Sequence, residues 1–151
     1  MAKFTYRMQN ILDMKLKLED QEKIAFGIAT ANLEAEQEKL KEVMLRQAGY
    51  ERQLKELATG TINISDIKVC KNAITSMKVM VRDQMIQVSK AQKALEAARK
   101  RLNDIMMERK MHEKLKEREF EVFLAEQNAM ESKITDELVS YSYFNNDNGE
   151  E

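Results

Sequence analysis

A heptad repeat between Ile67 and Ile105 constrains the fold more than any other feature of the sequence. Its steps alternate between three and four residues with hardly a break. The repeat consists of Ile67, Cys70, Ile74, Met77, Val81, Gln84, Val88, Ala91, Leu95, Ala98, Leu102 and Ile105. This spacing places a narrow stripe along one side of an α-helix, which is the pattern of a coiled-coil helix. Because the stripe uses the apolar residues that a pocket would need, the pattern argues against an enzyme.

The composition is typical of long helices. The 151 residues include no proline and only four glycines. The chain is rich in Lys, Glu, Leu, Ala, Gln and Met, which are strong helix formers. Its 25 basic and 26 acidic residues nearly cancel, so bulk attraction to nucleic acid is not expected. No apolar run approaches the roughly 20 residues that a transmembrane helix needs, and a single cysteine fits a reducing cytoplasm.

The segment TGTINIS, residues 59–65, interrupts the helical pattern. Gly60 can adopt the left-handed conformation that ends a helix, and Ser65 or Thr61 can cap the next one. We therefore predict helices over residues 4–58 and 66–140, joined by a turn over 59–65. Residues 1–144 are then a single hairpin domain, and the acidic tail, residues 145–151, is expected to be disordered.

A second heptad repeat predicts that the first helix packs against the second. One part contains Leu33, Glu36, Leu40, Val43, Gln47, Tyr50, Leu54 and Leu57, and an earlier part contains Ile11, Met14, Leu18, Gln21, Ala25 and Ile28. The two parts are out of step, so we expect a slip of register between Ile28 and Leu33. The predicted fold is all-α, an antiparallel coiled-coil hairpin in which residue i lies opposite roughly residue 124 − i.

This pairing leaves the end of the second helix without a partner. The start of the first helix lies opposite about residue 120 of the second helix. The second helix should therefore extend past the first by about twenty residues. After Ile105 the clean repeat fails. We expect the remaining thin apolar face to be Met111, Leu115, Val122 and Ala129.

Two stripes of like charge lie in the same part of the second helix. Lys110, Lys114 and Arg118 form a basic stripe, and Glu113, Glu117 and Glu121 form an acidic one. Like charges four residues apart destabilise an isolated helix. One interpretation is therefore that the stripes face complementary charges on a partner. The other is a solvated face with diagonal Glu–Lys pairs, and the sequence leaves both open.

The residues that could be reactive or bind a metal have structural explanations. Cys70 belongs to the heptad repeat, whose residues form the seam between the two helices. A cysteine at such a position acts as a small buried hydrophobe. His112 has Glu108 one turn before it, but a zinc site needs three or four ligands. Phosphate-binding, nucleophile and CxxC motifs do not occur. We therefore predict neither a catalytic residue nor a metal or cofactor.

Two long stretches resemble the FliJ family of flagellar export proteins. These are KFTYRMQNILDMKLKLEDQEK near the start and LEAARKRLNDIMMERKMHEKLKEREFEVFLAEQNAMESKITDELVSY later on, with their ERK, EKLKEREF and DEL elements. The resemblance implies a hairpin similar to the central-stalk subunit of rotary ATPases. It also implies a non-catalytic cytoplasmic protein at the inner face of the cell membrane, at the flagellar base. The implied partners are the export ATPase hexamer, the cytoplasmic domain of the export gate and export chaperones.

The resemblance also suggests which residues contact these partners. The end that faces the ATPase ring would be residues 4–18 together with about 109–138. Its candidate residues are Arg109, Lys110, Glu113, Lys114, Glu117, Arg118 and Glu121. The candidates for contact with the export gate are Val43, Tyr50, Met77, Met80 and Gln84. The rival hypothesis is a coiled-coil scaffold or dimerisation module without an ATPase partner.

Overall fold

Two long helices account for most of the computed structural model, which describes residues 2–149. Helix α1 spans Gln9–Leu57 and helix α2 spans Ile64–Asp147. They pack against each other along their heptad seams, and the described residues contain no strand. The prediction of an all-α helical hairpin is therefore confirmed.

The first helix begins later than predicted. It starts at Gln9 rather than at residue 4, with a hydrogen bond of 3.1 Å from the Gln9 amide to the Tyr6 carbonyl oxygen. Phe4 and Tyr6 precede the helix. The Phe4 ring packs against Phe120, and the Tyr6 side chain is buried. Burial of two aromatic side chains outweighs the hydrogen bonds of one more helical turn.

The turn keeps its predicted place but uses a different cap. Gly60 has a φ of +86°, the left-handed conformation expected of a residue that ends a helix. The cap of α2 is Asn63, not Ser65 or Thr61. Its side-chain oxygen accepts a hydrogen bond of 3.1 Å from the Ser65 amide. This is why α2 begins at Ile64, before the predicted start at residue 66.

The second helix ends later than predicted, at Asp147 instead of residue 140. Residues 145–147 are helical, so the prediction of a disordered tail is wrong for this part. The sequence offers no glycine or proline that would stop the helix before Gly149. Residues 150 and 151 of the predicted tail lie outside the described residues.

The contacts within the chain form two compact units. The turn unit is Glu19–Ile105, and the terminal unit combines the residues up to Leu18 with those from Met106 onwards. The prediction of a single domain over residues 1–144 stays a prediction.

The core of the turn unit lies along the predicted seam of α2. Every member of the repeat from Ile67 to Ile105 is buried or half-buried. The thiol of Cys70 is buried and donates a hydrogen bond to the Tyr50 carbonyl oxygen at 3.2 Å. The observed pairing is displaced from the predicted one by about one helical turn, since Cys70 contacts Tyr50 and Gln84 contacts Glu36 where positions 54 and 40 were expected.

The predicted slip of register in α1 is wrong. Buried and half-buried side chains follow one unbroken pattern of steps of three and four through this part of α1. They are Leu12, Lys15, Glu19, Glu22, Phe26, Ala29 and Leu33, and the predicted members Leu18 and Ala25 beside them are also half-buried. Ile11, Met14 and Ile28, which the sequence pattern placed in the seam, are instead exposed at 41%, 58% and 58%. Long charged side chains take these seam positions because their aliphatic stems can pack while their ends stay near water.

Candidate functional site

In the terminal unit, the seam of α2 is polar. It continues past Ile105 in the same steps of three and four. Its half-buried members are Arg109, His112, Lys116, Phe123 and Gln127. The predicted apolar face is wrong, because Met111, Leu115, Val122 and Ala129 are all exposed. Between residues 109 and 116, polar residues occupy the seam positions, and the apolar residues Met111 and Leu115 lie outside.

Two ion pairs involve charged residues at or beside this seam. The Lys15 ammonium of α1 lies 2.6 Å from the Glu108 carboxylate of α2. The Arg109 guanidinium lies 3.0 Å from Glu113, one turn further along the same helix. Since opposite charges offset part of the cost of burying each other, a polar seam can form here. Lys15 and Arg109 can therefore lie in the seam with their charges paired.

The segment before α1 packs against α2 through its aromatic side chains. The Phe4 ring packs against Phe120 and Phe123 with centroid separations of 5.1 and 5.4 Å. Tyr6 and Leu12 are each only 4% exposed. The aromatic contacts cover α2 as far as Phe123, and the sequence analysis missed them because it read Phe4 as part of the helix.

Beyond Gln127, α2 extends without any covering residue. Every described residue from 128 to 149 is exposed. We call residues 128–147 the overhang; as a helix it is about 30 Å long. The heptad steps of the seam continue along it. Its apolar members at these steps are Met130, Ile134, Tyr141 and Phe144, which are 61%, 55%, 66% and 68% exposed. The overhang therefore presents a coiled-coil seam without a partner helix.

The predicted charged residues lie on two sides of α2. Lys110, Lys114 and Arg118 are exposed, as are Glu113, Glu117 and Glu121, whereas Arg109 is half-buried in the seam. The basic residues rim a shallow surface groove of about 460 Å³ that also contains Met107, Met111 and Leu115. We call this the outer groove. The two stripes predicted from the sequence are therefore accessible surfaces, with an apolar strip beside the basic one.

The sequence matches the family described as "Flagellar FliJ protein" over residues 4–148. The chain belongs to the FliJ family. The family is a cytoplasmic, non-catalytic component of flagellar protein export. Membership confirms the family resemblance noted in the sequence and places this chain in flagellar type III protein export.

A solved structure shares the fold of this FliJ-family chain. It is described as a YscO homologue, CT670 from Chlamydia trachomatis, and it is 24% identical with a TM-score of 0.58. The match covers 93% of this chain and 96% of the other. No curated protein matches the sequence. At this identity the likeness concerns the fold alone.

The residues proposed for gate binding do not form one exposed surface. Val43, Tyr50, Met77 and Gln84 are half-buried in the seam between the helices, and Met80 is 47% exposed. Most of this set therefore holds the FliJ-family hairpin together. The sequence contained the signal for this, since four of the five residues are members of the heptad repeats.

Other apolar side chains in this part of the turn unit are more accessible. Met44 and Met85 are 42% and 48% exposed, and both lie near the residues proposed for the gate. Methionine is adaptable and common at binding surfaces. A partner that approaches the turn unit would meet these side chains and Met80 before it reached the seam.

The Tyr6 hydroxyl and the Nδ1 atom of His112 are buried polar atoms of the terminal unit that have no hydrogen-bond partner among the described residues. Across residues 2–149, no three His, Cys, Asp or Glu side chains are grouped so that they could hold a metal ion. Within residues 2–149, neither α1 nor α2 contains an apolar stretch that could span a bilayer.

Proposed function

We propose that this chain is the non-catalytic stalk of the flagellar export ATPase. In this proposal the terminal unit binds the ATPase hexamer and promotes assembly of its ring. The turn unit links the ATPase to the cytoplasmic domain of the export gate and to export chaperones. The protein would act in the cytoplasm, at the inner face of the membrane at the flagellar base. Membership of the FliJ family supports this setting.

The observation that carries the proposal is the unpartnered seam of the overhang. Met130, Ile134, Tyr141 and Phe144 are all more than half exposed. Full burial of one large apolar side chain is worth about 1.5–3 kcal/mol. Most helical stability in proteins also comes from packing of an apolar face, and the overhang packs against no other described residue. A partner that covers the seam would therefore gain binding energy and stabilise the helix at the same time.

The charged residues beside the overhang would help to orient the chain as it binds the ATPase ring. Exposed charges across an interface mainly set the rate of association and the choice of partner. The basic and acidic stripes between residues 110 and 121 would serve this purpose against the ATPase ring. Arg109 has a different part in the proposal, because it lies in the seam and pairs with Glu113. It would stabilise α2 within the seam instead of touching the ring.

The proposed link to the export gate rests on the turn unit. Of the gate candidates, Met80 offers the most exposed apolar side chain, and Val43, Tyr50, Met77 and Gln84 would support it from the seam. A partner surface of this type can repack around methionine side chains. Chaperone binding would use the same exposed residues or neighbouring ones.

The test of the proposal uses the purified cognate export ATPase. Addition of the chain should raise both its ATP hydrolysis and its hexamer fraction. Ile134→Glu should abolish both effects because it places a charge in the unpartnered seam. Val139→Glu is the matched control, since Val139 is 49% exposed but lies off the seam of the same helix. Absence of stimulation by the unaltered chain would refute the proposal, and equal loss in the two variants would refute the role of the seam.

The same exposed seam favours one second candidate, a dimerisation scaffold. A second copy of the chain could cover Met130 and Ile134, whereas the stalk proposal expects a monomer because the hairpin satisfies its own seam. Sedimentation equilibrium separates the two. A stable dimer that Ile134→Glu dissociates, without any effect on the ATPase, would favour the scaffold.

A further inference from the structure

We infer that the outer groove of α2 binds one amphipathic helix whose apolar stripe is flanked by acidic residues. The groove lies in the terminal unit and is formed by a single helix. Its lining consists of Met107, Lys110, Met111, Lys114, Leu115 and Arg118. These side chains are separate from the seam that packs against α1, so a ligand could occupy the groove while the hairpin stays intact.

The apolar part of the groove is open to solvent. Met107 is 71% exposed, Met111 is 56% exposed and Leu115 is 40% exposed. Their spacing of four residues forms one strip along α2, and Val122, 57% exposed, extends it. An apolar strip with a charged rim is typical of an interaction site. The strip from Met107 to Val122 is about 22 Å long, which matches about four turns of a docked helix.

The charges on the rim indicate the chemistry of the ligand. Lys110, Lys114 and Arg118 follow one another at four-residue spacing, and none of them takes part in an ion pair among the described residues. This arrangement disfavours an isolated helix, so the stability of α2 itself does not explain it. Carboxylates beside a partner's apolar stripe, on the edge that meets the basic rim, would complement the three cations.

A protein helix fits the groove better than an anionic membrane does. The exposed carboxylates of Glu117 and Glu121 lie next to the basic residues on α2. A flat anionic surface would be repelled by these two side chains, whereas a helix can present acidic residues to the cations alone. The chain also lacks the excess of positive charge that membrane attraction requires, since its net charge is −1.

The inference deepens the proposed function, because the same three basic residues were assigned to ATPase contact. It rests on that proposal only for the identity of the protein that supplies the helix. The recognition chemistry can be tested without the ATPase.

The test measures binding of the full chain to two labelled synthetic helices by fluorescence anisotropy. Each has about four turns and one leucine stripe, flanked by glutamates in the acidic peptide and by lysines in the basic peptide. The unaltered chain should prefer the acidic peptide by about tenfold or more. The variant K110E/K114E/R118E should reverse this preference. Circular dichroism should show unchanged helicity for the variant.

A second pair of variants tests the apolar strip. Met111→Glu should weaken binding of the acidic peptide about tenfold. Val79→Glu should leave it unchanged, because Val79 is an exposed apolar residue of α2 outside the groove. Equal weakening in both variants would overturn the assignment of the site.

Several results would overturn the inference as a whole. These are binding of neither peptide, equal binding of both, or tight binding of phosphatidylglycerol vesicles in place of the acidic peptide. Dimerisation of the chain that Met111→Glu abolishes would also overturn it, because the occupant would then be a second copy. If the peptide test fails while the chain still stimulates the ATPase, the groove inference falls and the stalk proposal stands. If the chain binds the acidic peptide but does not stimulate the ATPase, the stalk proposal falls and the groove inference stands.

Discussion

Gln84 of α2 donates a hydrogen bond to the backbone carbonyl oxygen of Glu36 in α1, at a distance of 2.9 Å. The same amide group also contacts the Glu36 carboxylate. Both residues are half-buried at the centre of the turn unit. Because one side chain engages both the backbone and the side chain of the opposite helix, the pair can fix the alignment of the two helices. Buried polar residues have this effect in other coiled coils.

Replacement of Gln84 should destabilise the hairpin. We expect Gln84→Ala to lower the free energy of unfolding by about 1.5–3 kcal/mol, since it removes a bond to a charged, half-buried group. Urea unfolding followed by circular dichroism measures the change. Gln92→Ala is the matched control, because Gln92 is an exposed glutamine of the same helix. Similar losses in both variants would contradict the role of the Gln84–Glu36 contact.

Replacement of Gly49 and of Gly60 by alanine should change the stability of the protein in opposite directions. A Cβ atom at Gly49 would meet nothing within 4 Å, so Gly49→Ala should stabilise the protein by about 0.5–1 kcal/mol. Gly60 has a φ of +86°, so Gly60→Ala should destabilise it by about 1–2 kcal/mol. Thermal unfolding of the two variants, side by side, checks both values. A loss of stability in Gly49→Ala would mean that another surface approaches this position closely.

The aromatic contacts of Phe4 should stabilise the terminal unit. Phe4→Ala removes the packing on Phe120 and Phe123, and each aromatic pair contributes about 0.5–1.5 kcal/mol beyond its buried area. Hydrogen exchange should become faster in the first turns of α1 and remain unchanged near Cys70. Phe144→Ala is the control, since Phe144 is 68% exposed. Unchanged exchange in Phe4→Ala would show that the N-terminal segment does not pack on α2.

The thiol of Cys70 should report the integrity of the hairpin. It is only 4% exposed and is hydrogen-bonded to Tyr50, so a thiol reagent should reach it only when the helices separate. We expect slow labelling in buffer and rapid labelling above the midpoint of urea unfolding. Rapid labelling of the native protein would contradict the packing of the two seams.

The seam of the turn unit was predictable because its residues are apolar or small. Positions such as Ile74, Val81 and Leu95 satisfy both the heptad spacing and the preference for burial, so pattern and structure agree. Gly60 likewise has a local conformational role that needs no tertiary information. The fold class and the place of the turn therefore follow from the sequence.

The terminal unit was not predictable in the same way, because polar residues take several of its seam positions. A search for apolar residues selects Ile11 and Met14 in α1 and Met111 in α2, all of which are exposed. The residues that face the other helix include Lys15, which pairs with Glu108. Such a pair becomes visible only when the two helices are aligned. The overhang was predicted from the unequal helix lengths, but its continuation of the seam and the outer groove were not.

Photo-crosslinking from the overhang to the export ATPase tests the central claim most directly. A benzophenone amino acid placed at position 134 lies on the unpartnered seam, and one placed at position 139 lies on another face of the same helix. The stalk account predicts strong crosslinking of the ATPase from position 134 and much weaker crosslinking from position 139. Equal yields from both positions, or crosslinks from position 134 to a second copy of the chain alone, would contradict it.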